Sequence, residues 1–202
     1  MYGTIRFIVG IVFLAIPVIL HFSKVKCGKL MYIVFTAISL LIVTVGQLFP
    51  LENSFVTFDS AKSAYKYYKF GNSNISLVVS GDNCDFVVDG DGSSKTYLII
   101  PKDNAGWKVG IGLDTKKIYQ KQQDGIVVNI FRYKNTDNYF ITVFDTNGGE
   151  SAVSDDYDTV FYSLSYYNKA LDKTFVTYYG YVRDLPSQYR VIINGNEFDV
   201  MK

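Results

Sequence analysis

The sequence predicts a mainly-β domain, an antiparallel β-sandwich or open barrel with one short helix, carried behind an N-terminal hairpin of two transmembrane helices. Three observations predict it. Two apolar runs, Phe7 to Phe22 and Leu30 to Leu51, fill the first quarter of the chain. From Ile75 onward, apolar and polar residues alternate with period two between turn residues, as half-buried strands require. All 19 acidic residues lie after Leu51, against 16 basic ones there, so the later three-quarters is the water-facing part.

The first apolar run is bounded by Arg6 and Lys24 and is short for a span, since a bilayer core takes about 20 helical residues. Tyr2, Thr4 and Ile5 extend it, Arg6 can snorkel to the interface, and Pro17 is a kink that lipid tolerates. No small-x-small cleavage site follows, and a second span comes at once. An uncleaved hairpin over residues 1–51 is therefore expected, with helices near 5–22 and 30–50, rather than a signal peptide. The second run has no charged residue and ends at Gly46 and Pro50. Lys24, Lys26 and Lys29 in the tight loop favour a cytoplasmic loop, which puts the domain outside the cell membrane. Arg6, Lys62, Lys66 and Lys69 pull the other way, but they do not abut both membrane ends. His21, the single histidine, reads as an interfacial polar residue. In this topology Cys27 and Cys84 face opposite sides and cannot pair, so the domain holds itself together without a disulfide.

Residues 52–72 form a juxtamembrane segment. Asp59 or Ser60 can cap a short helix, AKSAYKYYKF, with Gly71 just past its end and with Tyr65 and Tyr68 on one face. The all-β domain follows at 73–202. Strands are expected near Ile75–Val79, Asp85–Asp89, Lys95–Ile100, Trp107–Ile111, Ile118–Gln122, Ile126–Tyr133, Tyr139–Asp145, Val160–Tyr167, Thr174–Val182, Tyr189–Ile193 and Asn196–Val200. Asn194-Gly195 is a type I′ hairpin signal. It pairs Val191 with Phe198 and Tyr189 with Val200 on one face, and Arg190 with Asp199 on the other. Further hairpins turn at Lys134–Asp137 and around Asn168 to Lys173.

The layout of a double span, then FDSAKSAYKYY, then YLIIPKDNAGWKVG, resembles small uncharacterised two-span membrane proteins of low-GC Gram-positive bacteria. That resemblance implies a bacterial membrane location and brings no catalytic residues. The abundance of Lys, Asn, Ile, Tyr and Phe, all with AT-rich codons, agrees with such a source.

Composition excludes several chemistries. The domain has no histidine, which removes Ser-His-Asp and Cys-His nucleophiles and the usual zinc and non-haem iron sites. Cys84, between Asn83 and Asp85, reads as a structural thiol. GWKVGIG lacks the βαβ context of a dinucleotide loop, and Gly110 and Gly112 fit a bulge or a close backbone approach. DGDGSS, Asp89 to Ser94, resembles half of a calcium loop, but Val87 and Leu98 stand where ligands are needed. No cofactor, metal or catalytic residue is expected, and no basic stripe recommends nucleic acid. SDDYD, Ser154 to Asp158, reads as a solvated loop, though its carboxylates leave a glycan-processing enzyme as the alternative function.

Aromatic residues are abundant, with 17 Tyr and 15 Phe. In the pairs Tyr166-Tyr167 and Tyr178-Tyr179, adjacent side chains point to opposite faces of a strand. One of each pair is expected in the core and one outward, where tyrosine offers area at low entropy cost. These four are the candidate binding residues. The expected function is a binding, sensing or assembly module in the cell envelope. Its partners are the lipid bilayer and another envelope protein, a peptide or a glycan.

Overall fold

The computed structural model describes residues 2–23, 28–48, 50–69, 71–92, 94–111 and 114–200. Cys27, Lys24, Lys26 and Gly112 lie outside them, as do the expectations that rest on these residues. Two helices come first, α1 (Tyr2–Phe22) and α2 (Lys29–Leu48). Within α2, Lys29–Gly46 is long and apolar enough to cross a membrane, and only 6% of it is buried inside the protein; the apolar stretch of α1, Ile8–Phe22, is shorter. The helices touch near Gly10 and Val43 at one end and through Tyr32, whose hydroxyl donates to Leu20 O at 3.0 Å, at the other, so they run antiparallel. Gly10 and Ser39 are buried, as small residues are where apolar helices approach closely. The His21 ring sits edge-on to Phe22 and Tyr32.

A 3₁₀ turn at Leu51–Ser54 leads to α3 (Ala61–Tyr68), capped by Ser60, whose Oγ accepts from Ser63 N at 3.2 Å. The segment after α2 is tied into the domain. The Asn53 side-chain amide brackets the Val109 backbone, donating to its O at 2.9 Å and accepting from its N at 2.8 Å. Phe58 forms a backbone bridge with Trp107. The residues after α2 are therefore packed against the sheet and do not form a free linker.

Twelve strands follow: β1 (Ile75–Ser80), β2 (Cys84–Asp89), β3 (Thr96–Asp103), β4 (Gly106–Trp107), β5 (Thr115–Gln123), β6 (Ile126–Tyr133), β7 (Asn138–Asp145), β8 (Val153–Asp155), β9 (Tyr162–Asn168), β10 (Lys173–Arg183), β11 (Arg190–Ile193) and β12 (Asn196–Asp199). They build three antiparallel sheets, ordered β1-β2-β3-β4, β5-β6-β7-β10-β9 and β12-β11-β8. The five-stranded sheet is central. Phe131, Tyr133, Phe140 and Tyr179 on one face meet Val79, Phe86, Val88 and Ile99 of the first sheet. Ile130, Ile141 and Val143 on the other face meet Tyr189, Val191, Ile193 and Phe198 of the third sheet and its flank. Helix α3 covers the outer face of the first sheet through Ala61, Ala64 and Tyr65. The first sheet curls over the central one, with β1 near β9 and β10 and β3 near β5, to form a half-barrel.

The domain is thus mainly β, as the alternation indicates, but it has three sheets where a sandwich has two. The third sheet needs β8, whose Val-Ser-Asp is too short and polar to show a strand period, so that SDDYD is part strand and not wholly loop. The C-terminal hairpin has the expected register, Val191 opposite Phe198 and Arg190 opposite Asp199, with Asn194 and Gly195 at positive φ. The Arg190 guanidinium nevertheless reaches Glu197 at 2.6 Å and Asp156 at 3.1 Å instead of Asp199. The strand expected over Trp107–Ile111 is regular only at Gly106–Trp107, although the chain stays beside β3, with Lys108 N donating to Pro101 O at 2.9 Å. A Cβ built on Gly110 would lie 2.3 Å from Ile99 O, a backbone atom that cannot step aside. Gly110→Ala is expected to cost about 1–3 kcal/mol, as overpacking does, and the midpoint of urea unfolding checks it.

Candidate functional site

Carboxylates in the acidic clusters are candidate acid–base groups of the domain. Every residue of β2 is buried, so Asp85 and Asp89 lie under α3 with Val87 between them. Asp89 accepts from Tyr65 Oη at 2.7 Å, from Asn74 N at 2.6 Å and from Lys69 Nζ. Burial works to raise its pKa, but these donors and the lysine charge hold it below the usual carboxylate range. Asp85 accepts from Trp107 Nε1 at 2.7 Å, while its other oxygen makes no hydrogen bond of good geometry among the described residues. Burial raises its pKa. Asp89 thus ties α3 and its C-cap to the sheet, and Asp85 ties β2 to β4. The Asp89 carboxylate is turned inward from the DGDGSS turn, and no group of three metal-ligating side chains occurs among the described residues.

Asp155 and Asp156 are also engaged. Asp155 accepts from Thr159 Oγ1, from Thr159 N and Tyr157 N at 3.0 Å each, and from Tyr189 Oη at 2.5 Å. Burial again opposes these donors, and the donors win, holding the carboxyl below its usual range. Burial, reinforced by Asp155, pushes the Tyr189 phenol upward, so it stays a donor. Asp156 pairs with Arg190. This cluster shapes the turn between β8 and β9 and leaves no uncommitted carboxylate pair for acid–base chemistry.

The four singled-out tyrosines divide between the two faces of the central sheet. Tyr179 is buried in the half-barrel core at 1% exposure, and Tyr166 lies half-buried on the same face, stacked on Phe175. Tyr178 is half-buried on the opposite face, its hydroxyl accepting from Ser151 N at 2.8 Å. Tyr167 is exposed at the sheet edge and donates to Asp172. In each pair one ring is more buried than its neighbour, as alternation requires, and the four do not form one surface.

The clefts lined by described residues include one of about 560 Å³ against the C-terminal hairpin, where Asp124, Asp145 and Glu197 stand with Asn147 and Asn194, and two others. One is the mouth of the half-barrel, a cleft of about 250 Å³ lined by Lys95, Tyr97, Asn129, Thr142, Tyr166 and Thr177, with Gly92, Val127 and Phe144. Lys95 Nζ lies over the rings of Tyr166 and Tyr179 at 5.6 Å and 5.8 Å and donates to Thr177 Oγ1 at 3.0 Å. Burial lowers its pKa. The second is a cleft of about 400 Å³ beside the β9 edge, where Tyr157, Val160, Tyr162 and Arg183 surround Tyr181. Tyr157, Val160 and Tyr162 are large apolar groups left exposed. Arg183 is held at its rim by Asp82 at 2.9 Å.

Of the four tyrosines, Tyr166 alone lines one of these clefts, and the aromatic cleft beside β9 holds none of them. Parity alone could have found Lys95, since it is two residues before Tyr97 and four before Ile99, on the core-facing side of the strand. Tyr157 and Tyr162 come together because the chain leaves the central sheet after β7, forms β8 in the third sheet and returns as β9. Comparison with known proteins adds no further pointer: no protein-family model, curated protein or solved structure matches the chain.

Proposed function

We propose that the chain is a membrane-anchored binding module of the cell envelope. In this reading α1 and α2 are a two-span transmembrane hairpin and the β-domain is extracytoplasmic. Its docking face is the β9 edge with Tyr157, Val160 and Tyr162, and its partner is another envelope polypeptide. The observation that carries the reading is the contrast between the two edges of the central sheet. Edge strand β5 bears Lys116, Lys117 and Lys121 and a bulge between Lys117 and Tyr119, the devices that discourage strand addition. Edge strand β9, YSLSYYN, has no charge, proline or bulge, and it lies beside the exposed aromatic cleft. That uncharged edge, which β1 approaches without pairing to it, suits with its adjacent tyrosines a polypeptide that adds main-chain hydrogen bonds and seats a side chain in the cleft.

A photo-crosslinking residue at position 162, in native membranes, is expected to yield a discrete adduct that the same residue at position 117 does not. Equal adducts from both edges, or none, would defeat the docking assignment. The outside location is supported by Lys29 and the other two loop lysines. Cys84 cannot report on it, being fully buried with its thiol pushed up to about 12 by burial and then by Asp85 and Asp82. Lys169→Cys, in the exposed turn before β10, with Cys27→Ser, places a probe in water. Labelling by an impermeant maleimide in intact cells is expected. Labelling only after lysis would move the domain inside.

A further inference from the structure

We propose that the cleft at the mouth of the half-barrel binds a small monocarboxylate with a compact apolar or ring-shaped body. The cleft shares Tyr166 with β9 but none of Tyr157, Val160 and Tyr162, and the proposal stands without the docking reading. Its centre is an ammonium drawn partly out of water with no acidic partner among the described residues. Lys95 Nζ spends one of its three donors on Thr177 Oγ1. The Tyr166 and Tyr179 rings offer it only their faces. The other polar groups of the cleft are uncharged. The Asn129 side chain makes a single hydrogen bond among the described residues, Nδ2 to Thr142 Oγ1 at 3.1 Å, which leaves its carbonyl and second amide hydrogen uncommitted. Beneath them, the buried Tyr179 hydroxyl lies by Tyr97 and Thr177 without a hydrogen bond of good geometry. A site with one cation and uncommitted amide groups is short of an anionic acceptor.

Charge and size then select the class. No second Lys or Arg lines the cleft, so a phosphate dianion would be left half-neutralised, whereas a carboxylate matches one ammonium. Val127, Phe144 and the Tyr166 ring give an apolar wall for the rest of the ligand. At about 30 Å³ per water-sized group, a cleft of about 250 Å³ holds a molecule of about eight to ten heavy atoms.

Benzoate is a suitable probe and benzamide its neutral counterpart. The test is an NMR titration of the isotopically labelled full chain in detergent micelles. Benzoate is expected to saturate and to shift the amides of Asn129, Tyr166 and Thr177, with benzamide at least tenfold weaker. Lys95→Met keeps the side-chain stem and removes the charge, and it is expected to weaken benzoate at least tenfold while leaving benzamide unchanged. Thr177→Val, which removes the hydroxyl that holds Nζ, is expected to weaken benzoate severalfold and serves if the Met variant fails to fold. The proposal falls if benzoate does not saturate, if both probes bind equally, or if the Met variant keeps its benzoate affinity. It falls also if inorganic phosphate displaces benzoate at equal concentration.

Discussion

Asp89→Ala is expected to lower the stability of the β-domain by about 3–5 kcal/mol, the cost of removing one partner from a buried ion pair. The carboxylate side chain is 1% exposed and serves three donors from three places in the chain: Tyr65 and Lys69 at the end of α3, and Asn74 just before β1. Alanine leaves a buried hydroxyl, a backbone N–H and a partly buried ammonium without their acceptor, and each desolvated donor then costs free energy. Asp89→Asn keeps an acceptor and is expected to cost less. Lys69→Met on the alanine background removes the stranded charge and is expected to recover part of the loss, since the two residues are coupled. Urea unfolding followed by the fluorescence of Trp107, the single tryptophan, measures all three. A loss below about 1 kcal/mol for Asp89→Ala would show that solvent replaces these bonds at little cost.

The same carboxylate sets an acid limit. Its folded pKa lies below that of the unfolded chain, about 3.9. The stabilisation is therefore complete above the unfolded value and is lost as pH falls through the folded one. Asp155 acts in the same direction. Asp85 acts in the opposite direction, because its folded pKa is raised and ionising it in place costs stability as pH rises. The gap between wild type and Asp89→Ala is thus expected to be widest near neutral pH and to close below about pH 4. A gap independent of pH would mean that Asp89 acts through packing and not through charge.

Phe86→Ala is expected to cost about 3–5 kcal/mol, the range for a large ring removed from a core. Phe86 is fully buried and stacks on Tyr97 at 5.4 Å in its own sheet and on Phe140 at 5.0 Å in the central one, with Phe131 at 5.3 Å. It is the ring through which the half-barrel closes, so the cavity left by alanine lies between two sheets that cannot both collapse into it. Phe86→Leu restores most of the volume and is expected to cost about 1.5 kcal/mol. The same urea transitions check the pair. Equal costs for both variants would show that the sheets slide together and that the aromatic stacking contributes little.

What was legible in the sequence was whatever depends on near neighbours. The α3 cap at Ser60, the turn at Asn194-Gly195 and the parity of Val191 against Phe198 are written in local backbone preference and period two. So was the apolar character of Lys29–Gly46. The tight passage at Gly110 was visible as a glycine unusual for a strand, although its reason, the Ile99 carbonyl, lies eleven residues back.

Long-range placement was not legible. SDDYD is a polar loop by composition, yet Asp155 becomes a junction because Tyr189, thirty-four residues on, brings its hydroxyl there. Arg190 faces Asp199 by register, yet it pairs with Glu197 and with Asp156 from another strand. The spacing of the four paired tyrosines implies opposite faces, and the structure has them so. Spacing cannot say what covers each face: here, a curled sheet on one side and the C-terminal hairpin on the other.

By itself, then, the sequence determined an apolar helical leader, a β-rich domain, its turns and the absence of histidine chemistry, since each follows from residue type and short-range period. The tertiary structure alone decided that the described strands form three sheets, that two aspartates lie buried under α3, that β9 is an uncharged edge, and that Lys95 stands in a cleft without an acidic partner among the described residues. Burial and charge pairing are properties of what lies across the fold, and no local pattern encodes the far side.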